Sequence, residues 1–244
     1  MHQMPILFNY NDLMDEYPNR SSFNSFLNRQ LKSGAVKQIK RGLYALVDPS
    51  TGAIYASKFQ IASRLFEDSY FSYHEALEFY GLANQAFTSH FNYLTHTYVA
   101  DIEFENVLYK SRKSECGLEV MDSMKENGVR IVSLERAIVD SIDSPDLGGG
   151  LEEIENVLEI CPVPDITKVI SMLEYYGKSF LYQKVGYLFE RHFGQKISSS
   201  FYQLCLERIG KKYRYFEAKN GHSKRISKWH LMVPKEREIP SDIF

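Results

Sequence analysis

PNRSSFNSFLNRQLKSGAVKQIKRGLYALV, residues Pro18 to Val47, is the stretch on which the reading of the whole chain turns. It carries Arg20, Arg29, Lys32, Lys37, Lys40 and Arg41 and no acidic residue, although the full chain has a formal charge of −2. A cationic island in an acidic host is an electrostatic footprint for phosphate. Phe23, Phe26, Leu27 and Leu31 recur at helical spacing and fall on one face. Ser21 or Ser22 is placed to cap that helix, and Gly34 to end it. Ser21, Ser25, Asn28, Arg29 and Lys32 then point the opposite way, as a short polar cationic face. Val36 to Lys40 and Leu43 to Val47 read as two short strands, with Gly42 at a turn or a bulge. An amphipathic piece, Tyr10 to Tyr17, precedes them with Leu13, Met14 and Tyr17 apolar. Helix, turn, helix and basic hairpin predict a winged helix-turn-helix over residues 1–50, whose second helix enters a major groove. Ser25, Asn28 and Arg29 would read bases, and Lys37, Lys40 and Arg41 would sit on phosphates.

Working outward, Asp48-Pro49-Ser50-Thr51-Gly52 is a dense turn signal and the first domain boundary. A helix is predicted from Ile54 to Phe66, with Tyr55, Phe59, Ala62 and Phe66 inward. Ser72 and Glu75 form an S-x-x-E capping box for a short helix that Gly81 ends. Strands are predicted at Tyr93 to Val99, Val107 to Tyr109 and Val129 to Val132. Ser133 then caps a helix running to Ile142. After the loop from Ser144 to Gly150 come four apolar stripes at helical spacing. They are Leu151 to Cys161, Ile166 to Leu173, Leu181 to His192 and Phe201 to Ile209. Tyr213 to Val233 reads as a basic hairpin turning at Asn220-Gly221. The predicted class is α+β: a winged helix-turn-helix, then a larger mixed α/β C-terminal domain over 53–244 with a helical tail.

Three residue groups carry a resemblance. They are Lys40-Arg41-Gly42-Leu43-Tyr44-Ala45-Leu46, then Ser69 to Leu77 with Tyr80-Gly81-Leu82, and Val132 to Asp140 followed by Gly148-Gly149 and Glu152-Glu153. In that order they resemble the AbiEi-type antitoxins, regulators in abortive-infection phage-defence (type IV toxin–antitoxin) systems. The resemblance spans most of the chain. It implies an N-terminal domain that binds double-stranded DNA at inverted repeats in its own promoter. It also implies a C-terminal domain that neutralises a cognate AbiEii-type nucleotidyltransferase toxin, directly or functionally.

Other chemistry finds little support. Hydrophobic content of 44% with 25% charged residues is that of a globular chain, and no apolar run approaches the length of a membrane span. Cys116, Cys161 and Cys205 are scattered and odd in number, which fits a reducing cytoplasm and argues against both a disulfide framework and a zinc ribbon. Seven histidines show no H-E-x-x-H, and no G-x-S-x-G surrounds Ser72. No cofactor motif is present, so neither cofactor nor metal is expected. Glu135, Asp140 and Asp143 are the carboxylates a metal-dependent enzyme would use, but Arg136 and Asp140 read more simply as a helix-surface ion pair. Gly148-Gly149-Gly150 precedes Glu152 and Glu153, which would repel a phosphate.

A second basic patch lies near the C-terminus. Lys211, Lys212, Arg214, Lys224, Arg225 and Lys228 interleave with Tyr213, Tyr215, Phe216 and Trp229. Outside residues 18–47 and 208–237 the chain holds 29 acidic against 13 basic residues, so the two patches do not form one continuous charged run. The second patch is assigned to the toxin or its RNA. The combined reading is a DNA-binding autorepressor and antitoxin without enzymatic activity; the alternative is a module binding an acidic protein partner.

Overall fold

The structure, a computed structural model, describes residues 4–97, 99–114, 120–123, 128–216 and 223–234. The fold is α+β, helices with small sheets. Two compact units divide the chain: residues 1–75 with 86–133, and residues 76–85 with 134–244. The segment 1–50, expected as a separate domain, is therefore part of a unit that extends to Ser133.

In the first unit, β1 (Leu7–Phe8) leads into α1 (Tyr10–Leu13) and a 3-10 turn at Met14–Glu16. Asn9 starts α1: its side chain accepts from the Asn11 and Asp12 amides, and the Asp12 carboxylate accepts from the Asn9 amide at 2.7 Å. Next comes α2 (Arg20–Ser33). Its cap is Asn19, whose Oδ1 accepts from the Ser22 amide at 2.9 Å, and not Ser21 or Ser22, which both lie inside the helix. Pro18 keeps Tyr17 extended, and the turn into the helix falls on Asn19, two positions earlier than a cap at Ser21 requires. Gly34 ends α2 at φ +74°, a conformation that favours glycine.

The hairpin follows as β2 (Val36–Lys40) and β3 (Leu43–Leu46). Gly42 occupies the turn at φ +83°, and a separate register shift falls between Gln38 and Lys40. β1 adds to the free side of β3, in the order β1-β3-β2, all antiparallel. Phe8, Leu13, Phe23, Leu27 and Val36 form the core beneath, flanked by Tyr10, Tyr17 and Leu31. Tyr10 and Tyr17 set their rings edge-on to Phe23 at 5.1 and 5.6 Å.

The remainder of this unit is built on strands. α3 (Lys58–Arg64) is shorter than the predicted helix, because Ser57 and Gln60 make the capping box there; Tyr55 lies before it and is half exposed. α4 (Tyr73–Phe79) follows, with its opening Tyr73 at φ +53°. Glu75, expected to close a capping box with Ser72, accepts from the Asn92 amide at 2.8 Å and its side chain at 2.6 Å. Then come β4 (His90–Thr95), β5 (Ile102–Phe104), β6 (Val107–Lys113), β7 (Val120–Ser123) and β8 (Val129–Val132). β6 pairs β4 in parallel and β5 antiparallel, while β7 and β8 form an antiparallel pair. Tyr70 and Phe71 join the two sheets. Tyr70 exchanges both backbone bonds with Leu94, and Phe71 bonds to Arg130 and Val132. Successive residues of an extended chain turn their backbone groups to opposite sides, so two residues serve as a central strand.

In the second unit, Gly81 ends α4 as expected: its amide bonds Glu78 and the Leu82 amide bonds Leu77. α5 (Leu134–Asp143), α6 (Leu151–Ile160), α7 (Ile166–Tyr176), α8 (Ser179–Phe193) and α9 (Ser199–Arg208) follow the five predicted helices closely. Asp165 caps α7 and Gly177 ends it at φ +59°. α8 packs against α5, α6 and α9 and buries residues all round its circumference. The last sheet holds β9 (Arg214–Tyr215), β10 (Ser223–Ile226) and β11 (Leu231–Pro234) in the order β10-β11-β9. The β10–β11 hairpin turns at Ser227 to His230; Asn220-Gly221, where a turn was expected, lies outside the described residues. The His230 amide closes the turn on the Ser227 carbonyl at 3.3 Å, and Trp229 within it inserts its ring against α8.

No helix among the described residues is long and apolar enough to cross a membrane. Trp229 is 1% exposed and lies so close to Gly186 that a Cβ there would be 2.2 Å from the ring. Gly186→Leu should therefore displace the indole and cost at least about 1–3 kcal/mol. Urea unfolding followed by Trp229 fluorescence measures this, with a red-shifted native spectrum as the accompanying sign.

Candidate nucleic-acid interface

Burial of Phe23 and Leu27 fixes the rotation of α2. Ser21, Ser25, Asn28, Arg29 and Lys32 consequently all face solvent, as the periodicity predicts. Asn24 joins them, a residue the sequence reading left out. Arg20, at the start of α2, lies over the Tyr10 ring at 5.4 Å. Hydroxyl, amide and guanidinium groups thus form one exposed face of hydrogen-bonding groups without a carboxylate.

The hairpin lysines are placed differently from expectation. Lys37 pairs with Glu105 at 2.6 Å and also donates to the Gly52 carbonyl at 3.2 Å. Lys40 turns inward, donating to the Leu65 carbonyl and lying 3.5 Å from the centre of the Phe66 ring. Burial pushes the Lys40 amine below its ordinary value. Both were expected on phosphates; both are committed inside their own unit, because the helix end and the acidic β5–β6 turn beside them need cations. Arg41 alone of the hairpin set is exposed at the turn. Behind it lies a polar cleft of about 690 Å³, lined in part by Asp12, Arg41, Arg64, Glu67 and Arg130. Its charges are largely paired: Arg64 with Asp12, and Arg130 with the Ser63 and Phe66 carbonyls at 2.7 Å each.

The C-terminal basic residues divide as well. Lys211, Lys212, Arg214, Lys224 and Arg225 are exposed. Arg214 lies over Phe180 at 5.2 Å, and Arg225 donates to the Tyr213 hydroxyl at 2.7 Å. Lys228 is exposed too, but its amine is held by Glu190, which also accepts from the Trp229 indole at 2.8 Å. Lys228 thus belongs to the anchor of the hairpin.

The carboxylates proposed for catalysis do not converge. Arg136 and Asp140 form a buried pair at 3.3 Å, 2% and 3% exposed, where a surface pair was expected. Tyr176 adds a hydrogen bond to the other Asp140 oxygen. Glu135 accepts from the Asp165 amide, and Asp143 pairs with Lys178 at 2.6 Å. Among the described residues no group of three His, Cys, Asp or Glu side chains is placed to hold a metal. Gly148 packs so closely on Ser141 that a Cβ would be 2.7 Å from the Ser141 Cβ, and Glu153 accepts from the Asn84 amide at 2.6 Å. Gly148 is thus a packing feature, while Gly149 and Gly150 take the positive φ of a turn, at +90° and +95°. Burial pushes the Cys161 thiol up to about 11 and the Cys205 thiol to about 12; Cys116 lies outside the described residues.

No family model matches the chain, and no curated protein matches it. Among solved structures it is similar to the crystal structure of the RV2827C protein from Mycobacterium tuberculosis. The TM-score is 0.65 at 12% identity, over 94% of this chain and 86% of that one. At that identity the likeness extends to the fold.

Removing Asp140 leaves the Arg136 guanidinium charged and buried. Asp140→Ala should cost about 3–5 kcal/mol, a loss that thermal unfolding would register as a large drop in Tm.

Proposed function

We propose that this chain is a DNA-binding transcriptional autorepressor and antitoxin of the AbiEi type. In this reading residues 7–46 act as a winged helix-turn-helix, with α2 as the recognition helix and the β2–β3 hairpin as the wing. The observation that carries it is the exposed face of α2, where Ser21, Ser25, Asn28, Arg29 and Lys32 share one side of a helix pinned by Phe23 and Leu27. Asn amides and Arg guanidinium groups pair bidentately with purine edges in a major groove. The order of elements supports a wing whose tip places Arg41 on a phosphate. Lys32 supplies a further phosphate contact from the end of the helix. Lys37 and Lys40 hold the wing in place. The antitoxin role rests on the resemblance in sequence, and its target would be a nucleotidyltransferase toxin produced from the same operon.

The test is binding to the DNA immediately upstream of the gene, followed by fluorescence anisotropy. Asn28→Ala and Arg29→Ala should each cost about 1–3 kcal/mol on the best site and relax sequence preference. Arg41→Ala should weaken all DNA evenly and flatten the salt slope by about one unit. Lys40→Met should leave operator affinity unchanged. Wild-type affinity in Asn28→Ala and Arg29→Ala together would remove α2 from the interface. Rescue of cells expressing the neighbouring toxin tests the second role separately.

A further inference from the structure

The three-stranded C-terminal sheet has one face turned inward and one outward. Leu231 and Val233 are buried, so Met232 between them points the other way. In register, Met232 stands opposite Tyr215 on one side and Arg225 on the other. Residues paired across strands share a face, so Tyr215, Met232 and Arg225 lie in one row on the outer surface. Tyr215 is 40% exposed, and Arg225 is exposed. Tyr213 backs Arg225: the guanidinium carbon lies 4.1 Å from the ring centre, and an N–H donates to the hydroxyl at 2.7 Å. His230 packs on the same tyrosine at 5.1 Å. Lys211 and Lys212 are exposed just before β9, and neither 209–216 nor 223–234 contains an Asp or Glu; Lys224, paired with the buried Val233, belongs to the other face.

We infer that this sheet face is a platform for single-stranded nucleic acid, with bases stacking on Tyr215 and on the guanidinium plane of Arg225. Unpaired bases expose their planes, and flat side chains on a sheet ringed by cations are what receive them. Stacked and hydrogen-bonded on Tyr213, the guanidinium offers its plane with little left to order on binding. An acidic protein would instead need the hydrogen-bonding edge, part of which Tyr213 already occupies. A duplex hides its base planes and gains nothing from Tyr215. This surface and the proposed operator contacts of α2 share no residue.

The experiment uses the full chain with fluorescein-labelled RNA and DNA single strands of about 12 nucleotides and a duplex of the same length, by anisotropy. Single strands of mixed sequence should bind, and duplex binding, assigned to α2, should not respond to Tyr215→Ala. Tyr215→Ala should weaken single-strand binding about tenfold, while Tyr215→Phe keeps it. Arg225→Lys keeps the charge but not the plane, and should weaken binding as well. Asn28→Ala should leave it unchanged. Trp229 fluorescence checks that each variant is folded, and Arg225→Lys carries the test alone if Tyr215→Ala is not. Equal affinity for RNA and DNA supports stacking alone, and preference for RNA adds contacts to the 2′-hydroxyl. Three results would overturn the inference: an equal loss of duplex and single-strand binding in Tyr215→Ala, full single-strand affinity in Arg225→Lys, or loss of single-strand binding in Asn28→Ala.

Discussion

The C-terminal end of α3 is the point to which the first unit is tied. Helix-end carbonyls have no partner within the helix and carry partial negative charge. Here the carbonyls of Ser63, Leu65 and Phe66 receive Arg130 from β8 and Lys40 from β2. One helix end thus joins the N-terminal hairpin to the central strands. Ser63 strengthens the joint through its hydroxyl, which accepts from the Arg130 amide at 2.8 Å. The arrangement removes Lys40 from water, and its amine is correspondingly harder to keep charged.

The second unit solves the same problem in the same way. Lys184 is 3% exposed and donates to the Ile142 and Asp143 carbonyls at the end of α5, at 2.9 and 3.1 Å. Phe180 and Phe216 flank it, at 4.7 and 5.2 Å from their ring centres. Two residues further on, Gly186 admits Trp229, and the preceding Gln183 donates to the Lys212 and His230 carbonyls. α8 therefore fixes the C-terminal sheet by a buried amide, a missing side chain and an indole. Each unit places cations inside, and a count of Lys and Arg along the sequence overstates what remains for a ligand.

This separates what was legible in the sequence from what was not. Strong periodicity in Phe23, Leu27, Val169, Leu173, Val185 and Leu188 marks helices with their buried faces, and Gly34, Gly81 and Gly177 mark ends. The exposed face of α2 follows from the same periodicity, because a helix with one apolar stripe has no choice of the other. β1 escapes because two residues carry no period. Tyr70 and Phe71 escape because a strand of two residues is defined by its neighbours, far away in the chain. The pairing of Lys37 and the inward turn of Lys40 depend on Glu105 and on the end of α3, and nothing within residues 36–46 encodes them. The buried state of Arg136 and Asp140 is equally non-local, since Tyr176 on α7 helps to enclose it.

The two proposed surfaces differ in kind, and the difference follows from the elements that carry them. A helix projects side chains radially, so Asn28 and Arg29 extend hydrogen-bonding groups outward, suited to base edges in a paired groove. A sheet lays side chains over a broad surface, so Tyr215 and Arg225 present planes, suited to bases that have no partner. Pairing hides planes and leaves edges in the groove, whereas unpairing exposes planes. On these proposals neither surface can replace the other: a ligand that satisfies α2 has already buried what the C-terminal sheet would bind. The acidic residues that dominate the rest of the chain keep both surfaces local, since a phosphate backbone is attracted only where carboxylates are absent.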